Sequence, residues 1–210
     1  MSYDLNKFIQ SIPHRSQPYA QALINAALRV PVPEIDAFIL TALIERESGS
    51  GVYLTPPGPG GTGDNGHGRG LAQLDDRSHG VWLSQNNWQD PEINLTYAGQ
   101  LLYSDLYFLS KKTPIPGLTD GNSVNVSVMQ ANRRGVNPGA FADPRPIQDI
   151  NLLLKATLSS YNTGIGNVLI SLAVSVDTDI TTTPGPSGQP DYAADVLNRA
   201  ASFKNTYNSL

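Results

Sequence analysis

Three acidic residues have surroundings suited to chemistry: Glu47, Asp64 and Asp75. Glu47 ends an almost entirely apolar stretch with the spacing of a buried helix. At about 100° per residue its side chain lies between those of Leu40 and Leu43 on that helix. Apolar neighbours and the carbonyls of a helix C-terminus both raise a carboxyl pKa, which keeps a general acid protonated near neutral pH. The pattern therefore predicts Glu47 as a proton donor.

Of the other two carboxylates, Asp64 lies within and Asp75 shortly after a segment rich in glycine and proline, Thr55 to Gly70. Such a segment cannot form a helix, and its Asn65-Gly66 pair is typical of a two-residue hairpin turn. We therefore predict a small β-hairpin or ribbon over 62–75, whose glycines allow close backbone approach. This hairpin could carry Asp64 and Asp75 to the wall of a cleft opposite Glu47. One protonated and one ionised carboxyl across a cleft is the arrangement that glycosidases use.

The residues alone also leave a plainer interpretation open. A glutamate at a helix end is usually solvated, and a glycine-rich loop is usually only a loop. Residues 61–66 formally fit a dinucleotide-binding fingerprint, but no predicted strand precedes them, so that match is accidental. Trp82 and Trp88 could stack on sugar rings, although tryptophans are more often partly buried anchors. The three histidines lack ligand-like spacing, so no metal site is predicted.

Composition restricts the class of protein further. With 14 basic and 18 acidic residues the formal charge is −4, which argues against a nucleic-acid binder. Cysteine is absent, which excludes a disulfide framework, a thiolate nucleophile and a cysteine-zinc site. No apolar stretch approaches ~18 residues, so no membrane span is predicted. No signal peptide is visible, although a mature chain given a new start methionine would look the same.

Hydrophobic spacing predicts one mainly helical domain over 1–210. Ser16 is expected to cap the first clear helix, which runs to Val30 with Pro18 in its first turn. Further helices are predicted at about 34–47, from Asp90-Pro91 to 112, at 147–161, 164–174 and 191–207, with a weak one at 123–134. Loops or connectors are predicted at 113–122, 136–146 and 181–190. The fold class is therefore all-α with a small β-hairpin.

The same residues resemble the goose-type lysozymes, glycoside hydrolase family 23 in the lysozyme-like and lytic transglycosylase superfamily. Three ordered blocks carry the resemblance, which makes it specific, whereas a lone Glu-Ser-Gly would be weak. They are Arg46-Glu47-Ser48 with Gly61 to Asp75 and Arg77-Ser78-His79; Ser160-Tyr161-Asn162-Thr163-Gly164-Ile165-Gly166-Asn167-Val168; and Asp191-Tyr192-Ala193-Ala194-Asp195-Val196.

The resemblance implies an α+β lysozyme-like fold in which the hairpin forms one wall of the cleft. It places Glu47 at the catalytic acid, and Asp64 and Asp75 at carboxylates that position or activate the attacking water. The implied reaction is inverting hydrolysis of the β-1,4 bond between N-acetylmuramic acid and N-acetylglucosamine, without a cofactor. Positions that contact sugar or orient the acid fall on Gln73, His79, Tyr161, Asn162 and Tyr192.

Several alternatives remain beside this reading. A lytic transglycosylase or a chitinase could use the same scaffold, and so could a non-catalytic sugar-binding or structural module. Asp64 and Asp75 favour the hydrolase, because internal attack by a muramic-acid hydroxyl needs no water-activating carboxylate. Residues 113–146 are longer than the expected connection and could be a lid, a cleft wall, a partner surface or a loop without a role. We expect a monomer acting extracellularly or on the bacterial wall, with no nucleic-acid or membrane partner.

Overall fold

The computed structural model describes residues 2–111, 145–173 and 191–210. These residues form α-helices and one small antiparallel sheet, which confirms the predicted fold class. Two compact units are present, one of residues 1–100 with 196–210 and one of residues 101–195. The helices are α1 (Leu5–Ser11), α2 (Ala20–Leu28), α3 (Ala37–Ser48), α4 (Asp76–Gln85), α5 (Pro91–Ser110), α6 (Ile150–Thr163), α7 (Ile165–Ala173) and α8 (Tyr192–Ser209). The strands are β1 (Thr62–Gly63), β2 (Gly68–Arg69) and β3 (Leu74–Asp75).

Some predictions fall outside the described residues. These are the loop at 113–122, the weak helix at 123–134, the connector at 181–190 and nearly all of the 113–146 insertion. The single-domain organisation stays a prediction. Among the described helices, none combines the length and the apolar character needed to cross a membrane.

Helix α3 is the buried centre of the first unit. Its N-cap is Asp36, whose carboxylate accepts hydrogen bonds from the backbone N–H groups of Phe38 and Ile39, both at 3.0 Å. Residues 37–45 are all buried, so apolar burial on every side holds this helix in place. Gly49 ends it in the left-handed conformation at φ +57°. The predicted helix is confirmed, and Glu47 lies in its last turn.

Aromatic rings from both ends of the chain pack against the start of α3. The ring centroid of Phe38 lies 5.2 Å from that of Phe8 in α1 and 5.5 Å from that of Tyr207 in α8. The Tyr207 hydroxyl also accepts a hydrogen bond from the backbone N–H of Asp4 at 2.9 Å. The two termini of the described chain therefore stabilise the helix that carries Glu47.

The start of α2 differs from the prediction. Residues His14–Tyr19 form a 3₁₀ helix that contains Pro18, and α2 begins only at Ala20. Ser16 does not cap α2; its hydroxyl is buried and donates to the carboxylate of Glu45 at 2.6 Å. The prediction of a Ser16 cap was wrong because the chain continues as a 3₁₀ helix to Tyr19, which places Ser16 inside that helix and not at the N-cap position of α2.

The sheet consists of three short strands in the order β1-β2-β3. Gly63 of β1 pairs with Gly68 of β2, and Arg69 of β2 pairs with Leu74 of β3. Between β1 and β2 the chain makes a 3₁₀ turn over Asp64–Gly66, with positive φ angles at all three residues. The predicted ribbon over 62–75 is thus confirmed. The turn includes Asn65-Gly66 but is not the predicted two-residue turn, because residues 64–67 separate the paired glycines.

Helix α4 was not predicted. Its N-cap is Asp75, and only Leu83 is buried along its length, so no helical stripe of apolar residues marks it in the sequence. The predicted helices from Asp90-Pro91 onward and at 191–207 correspond to α5 and α8. In the second unit, Gly164 at φ +82° separates α6 from α7, close to the predicted boundary.

Candidate active site

Ser48 attaches the end of α3 to the sheet. Its buried hydroxyl donates to the carbonyl of Leu71 at 2.7 Å and accepts from the backbone N–H of Gly51 at 3.0 Å. Leu71 lies in the connection between β2 and β3 and is itself fully buried. Ser48, which directly follows the half-buried Glu47, therefore joins the end of α3 to the β2–β3 connection.

Asn94 of α5 holds the same connection from another side. Its side-chain oxygen accepts from the Ala72 N–H at 3.0 Å, and its amide nitrogen donates to the Arg69 carbonyl at 3.2 Å. Gly70 has φ +69°, and a Cβ on it would lie 2.5 Å from the Asn94 amide nitrogen. Sequence reasoning missed Asn94, because nothing in the spacing marks one buried amide on a helix.

Gln73 lies across the paired glycines of β1 and β2. A Cβ on Gly63 or Gly68 would approach the Gln73 side-chain oxygen to 2.1 or 2.2 Å, so a side chain at either position would displace the Gln73 amide. The Gln73 amide nitrogen donates to the carbonyl of Gly70 at 2.8 Å. The close approach predicted for these glycines is therefore confirmed, and the approaching group is a side chain of the same segment.

Asp64 and Asp75 are brought together by Arg77. The Arg77 Nη2 donates to Asp64 Oδ2 at 2.8 Å and to Asp75 Oδ2 at 2.8 Å. Its Nε donates to both oxygens of Asp75 at 2.9 and 3.1 Å, and its backbone N–H donates to Asp75 Oδ1 at 2.8 Å. We call these three residues the Arg77 clamp. One guanidinium thus fixes the turn of the ribbon against its last strand.

The two carboxylates of the clamp differ in their hydrogen bonds and exposure. Hydrogen bonds from Arg77 lower the pKa of Asp75, so this carboxyl stays charged. Both Asp75 oxygens accept from Arg77, whereas no described residue donates to the second oxygen of Asp64. The Asp64 side chain is 57% exposed. That oxygen can therefore accept a proton or hydrogen bond from a water or a ligand.

A second ionic group lies beside the clamp. The Asp76 carboxylate pairs with His67 Nδ1 at 2.9 Å and with Arg69 Nη2 at 2.5 Å. Both contacts lower the pKa of Asp76, and the hydrogen bond with His67 has the larger effect. The Arg69 guanidinium also lies 5.8 Å from the ring centroid of Trp88. The charges on the ribbon are thus paired locally, and the central strand β2 and the β1–β2 connection are joined to α4.

His79 lies on α4, two residues after Arg77. Its Nδ1 is 3.1 Å from the hydroxyl of Tyr97, and the two rings meet edge to face. Burial lowers the pKa of His79, although the charge of Asp75 opposes this. The imidazole is therefore neutral at neutral pH and keeps one hydrogen-bonding nitrogen besides that facing Tyr97.

The remaining predicted residues lie in the second unit. Tyr161 is half-buried and Asn162 exposed near the end of α6, and Tyr192 is buried as the first residue of α8. Their roles in sugar contact or in orienting Glu47 stay predictions. Within the described ranges, no group of three histidine, cysteine or acidic side chains could hold a metal ion.

The other glutamate near the end of α3, Glu45, has a different environment. It accepts from Arg15 Nε at 3.0 and 2.8 Å, from Arg15 Nη2, from Ser16 at 2.6 Å and from Ser50 at 2.7 Å. Burial alone would raise the pKa of Glu45, but these donors together lower it. We call this set the Arg15 cluster. Its carboxylate is charged and fully engaged, so it is not available as a proton donor.

Comparison of the sequence with known proteins identifies relatives of the chain. No family model matches the chain. Over 173 residues, 81% of the chain, it is 30% identical to lysozyme g of Casuarius casuarius and to lysozyme G of Dromaius novaehollandiae, and 28% identical to lysozyme g of Struthio camelus. It covers 65% of the first relative and 59% of the other two, less than two thirds of their lengths. This similarity, together with the three ordered motifs, relates the chain to the goose-type lysozymes.

Proposed function

We propose that the protein is a lysozyme that hydrolyses the β-1,4 bond between N-acetylmuramic acid and N-acetylglucosamine of peptidoglycan. The observation that carries the proposal is the Arg77 clamp, which holds two solvent-accessible carboxylates together. The similarity to lysozymes of the goose type supports the same conclusion.

In this mechanism Glu47 is the general acid. It gives its proton to the glycosidic oxygen, and the leaving sugar departs as an alcohol. Its position supports this role, because the preceding turn of α3 is fully buried at Leu40 and Leu43 and the helix ends at the next residue. Side chains alone can perform these steps, so the mechanism needs no cofactor.

Asp64 and Asp75 hold the attacking water. The oxygen of Asp64 that lacks a described donor and the carboxylate of Asp75 hold the water between them, and this pair takes up its proton, while Asp75 also keeps Arg77 in place. The resulting hydroxide oxygen bonds to the anomeric carbon on the face opposite Glu47, and the configuration inverts. This mechanism predicts about 6.5–9.5 Å between acid and base carboxyl oxygens during catalysis, and the α-anomer as first product.

The other predicted residues bind the glycan in this proposal. The ribbon forms one wall of the cleft, with Gln73 and His79 next to the clamp. The roles of Tyr161, Asn162 and Tyr192 in contacting sugar or orienting the acid are part of the same proposal. The enzyme acts extracellularly or on the bacterial wall, as a monomer.

Two other enzymes on this scaffold give different products. A lytic transglycosylase forms anhydro ends by internal attack and has no use for the paired carboxylates of the Arg77 clamp. A chitinase is favoured by one observation, the formal charge of −4, because an acidic protein suits an uncharged polymer better than an anionic wall.

The test is the substitution Glu47→Gln, which keeps the size of the side chain but removes its proton. Release of soluble fragments from peptidoglycan should fall by about 10²–10⁴-fold, with the melting temperature close to that of the wild type. The matched control is Glu34→Gln, a half-buried glutamate without a described ion pair, which should keep full activity. A Glu47→Gln enzyme within about tenfold of the wild type would contradict the assignment.

A further inference from the structure

A groove of about 540 Å³ in the first unit is lined by one face of α5. Its α5 residues recur at the spacing of a single helix face. They are joined by Trp82 of α4, by Asn86 after that helix and by Arg29 after α2. The lining residues of α5 and its N-cap region are Asp90, Glu92, Ile93, Thr96, Tyr97 and Gln100. Neither Glu47 nor the Arg77 clamp is part of it.

Two stacked aromatic rings form part of the lining. The ring centroids of Trp82 and Tyr97 are 3.9 Å apart, and the planes differ by only 9°. Trp82 nevertheless stays half-exposed. Because Tyr97 covers one face of the indole, a ligand reaches Trp82 through its other face or its edge. A flat, rigid aromatic surface of this kind suits the apolar C–H face of a sugar ring.

Thr96 supplies a polar group without a partner. Its hydroxyl is buried, and no described residue forms a hydrogen bond with it. A buried hydroxyl without a partner is unfavourable, and because this oxygen has almost no accessible surface, a ligand bonds to it only when the lining of the groove shifts on binding. Such a bond then gains more than a surface contact would give. The groove therefore contains both an aromatic surface and an unsatisfied hydrogen-bonding group.

The remaining groups exclude anions and favour a neutral ligand. Two carboxylates, Asp90 and Glu92, face one cation, Arg29, which is already paired with Glu92. The amide nitrogen of Asn86 donates to the Trp82 carbonyl at 2.8 Å, which leaves the amide oxygen as an acceptor. Carboxylate and amide oxygens accept hydrogen bonds from hydroxyl and N–H groups but repel phosphate or carboxylate ligands.

We propose that this groove is a second carbohydrate site, which binds a neutral amino-sugar ring of a β-1,4-linked N-acetylglucosamine chain. It is connected to the candidate active site through Tyr97, whose hydroxyl meets His79. The choice of amino sugar rests on the proposed function, whereas the groove itself specifies a neutral ring rich in hydroxyl groups. A glycan bound in this groove is anchored away from the bond that is cleaved, which raises the local concentration of substrate at the active site.

Fluorescence can test the site directly, because the chain has only two tryptophans. In a Glu47→Gln background, which suppresses turnover, Trp88→Phe leaves Trp82 as the only reporter. Titration with the β-1,4-linked N-acetylglucosamine tetramer should give a saturable change in Trp82 emission. In the reciprocal Trp82→Phe protein the remaining tryptophan, Trp88, lies outside the groove. Its emission should show no saturable change at the tetramer concentration that half-saturates the Trp82 signal. Absence of a saturable Trp82 change would overturn the proposal.

Thr96 provides the matched pair of variants in the Trp82 reporter. Thr96→Ser keeps the hydroxyl and should bind the tetramer as the parent does. Thr96→Val keeps the shape but loses the hydroxyl, so its Kd should rise by about tenfold while its melting temperature stays the same or increases. A purely structural role would change stability without changing affinity. Equal affinities for the two variants would contradict the role of the hydroxyl in the site.

Wild-type activity separates this proposal from the previous one. Tetramer binding at Trp82 without any cleavage of peptidoglycan or of the N-acetylglucosamine polymer would retain the groove and reject the enzyme. Cleavage by the wild type without a Trp82 response would reject the groove and retain the enzyme.

Discussion

The Arg15 cluster and the Arg77 clamp are both arginine–carboxylate sites in the first unit, and they differ in what remains unsatisfied. The Glu45 side chain is 1% exposed and accepts from Arg15, Ser16 and Ser50. In the clamp, Asp64 remains exposed and has one oxygen without a described donor. The first arrangement is closed, and the second leaves a place for a water molecule.

This difference shows why burial of an acidic residue does not by itself indicate a catalytic acid. Glu45 is buried more deeply than Glu47, two residues later on the same helix. Yet the donors around Glu45 lower its pKa and keep it ionised. A buried and fully paired carboxylate serves the fold, whereas a clamp with free acceptor capacity can serve a reaction.

Within the comparison of the two arginine–carboxylate sites, the largest effect on activity should come from the carboxylates of the clamp. The double variant Asp64→Asn/Asp75→Asn should lose at least about 10²-fold in hydrolysis, because neither amide can accept a proton from water. Asp75→Asn alone should cost more than Asp64→Asn, since Asp75 also positions Arg77. Release of reducing ends from peptidoglycan measures each rate. Full activity of the double variant would place water activation elsewhere and favour the transglycosylase.

The largest effect on stability should come from the Arg15 cluster. Arg15→Met leaves the Glu45 carboxylate buried without its cation, and should lower the free energy of unfolding by about 3 kcal/mol. This is the low end of the range for buried pairs, because Arg15 is itself 37% exposed. The control Arg29→Met breaks a more exposed pair with Glu92 and should cost under about 1 kcal/mol. If urea denaturation gave the two variants equal losses in the free energy of unfolding, the predicted difference between the buried and the exposed pair would be contradicted.

A smaller effect is expected from Arg77→Lys. Lysine keeps the charge but cannot hold both aspartates with a planar fork, so kcat should fall by about tenfold, with KM little changed. Because Arg77 lowers the pKa of Asp75, its loss should raise that pKa. The acid limb of the pH–rate profile should therefore move to higher pH. An unchanged profile would show that Arg77 only supports the local structure.

The smallest effect concerns His79 and the pH dependence of stability. Since burial lowers the pKa of His79 below its ordinary value of about 6.5, the unfolded chain binds the proton more readily there. Stability should therefore decrease as the pH falls from about 6.5 through the folded-state pKa. Thermal denaturation between pH 7 and 5 should show a shallower decrease for His79→Gln than for the wild type. Identical slopes would mean that the ring titrates normally.

Sequence patterns predicted several structural elements of this molecule correctly and missed others, and each outcome has a physical reason. The apolar helix α3 and the turn at Asn65-Gly66 depend on local periodicity and turn chemistry, which a sequence displays directly. Helix α4 was missed because only Leu83 is buried along it. The Ser16 cap was wrong because α2 begins only at Ala20, and the Ser16 hydroxyl instead donates to Glu45, 29 residues away in the chain.

The candidate site was predictable only in part. Asp64 and Asp75 could be found from their motif, but the guanidinium that bridges them could not be assigned without coordinates. The same holds for Asn94, which supports the β2–β3 connection through two side-chain hydrogen bonds. The contacts from Arg77 to Asp64 and from Asn94 to Ala72 join residues 13 and 22 positions apart, so no local pattern indicates them.

The most direct test of the central claim is mass spectrometry of the fragments that the wild-type protein releases from purified peptidoglycan. Hydrolysis by water held at the Arg77 clamp predicts fragments with reducing N-acetylmuramic acid ends, each carrying the mass of one added water. Labelling in ¹⁸O-water should place the heavy atom at that new end. Anhydro-muramic ends without the label would contradict the account and identify a lytic transglycosylase.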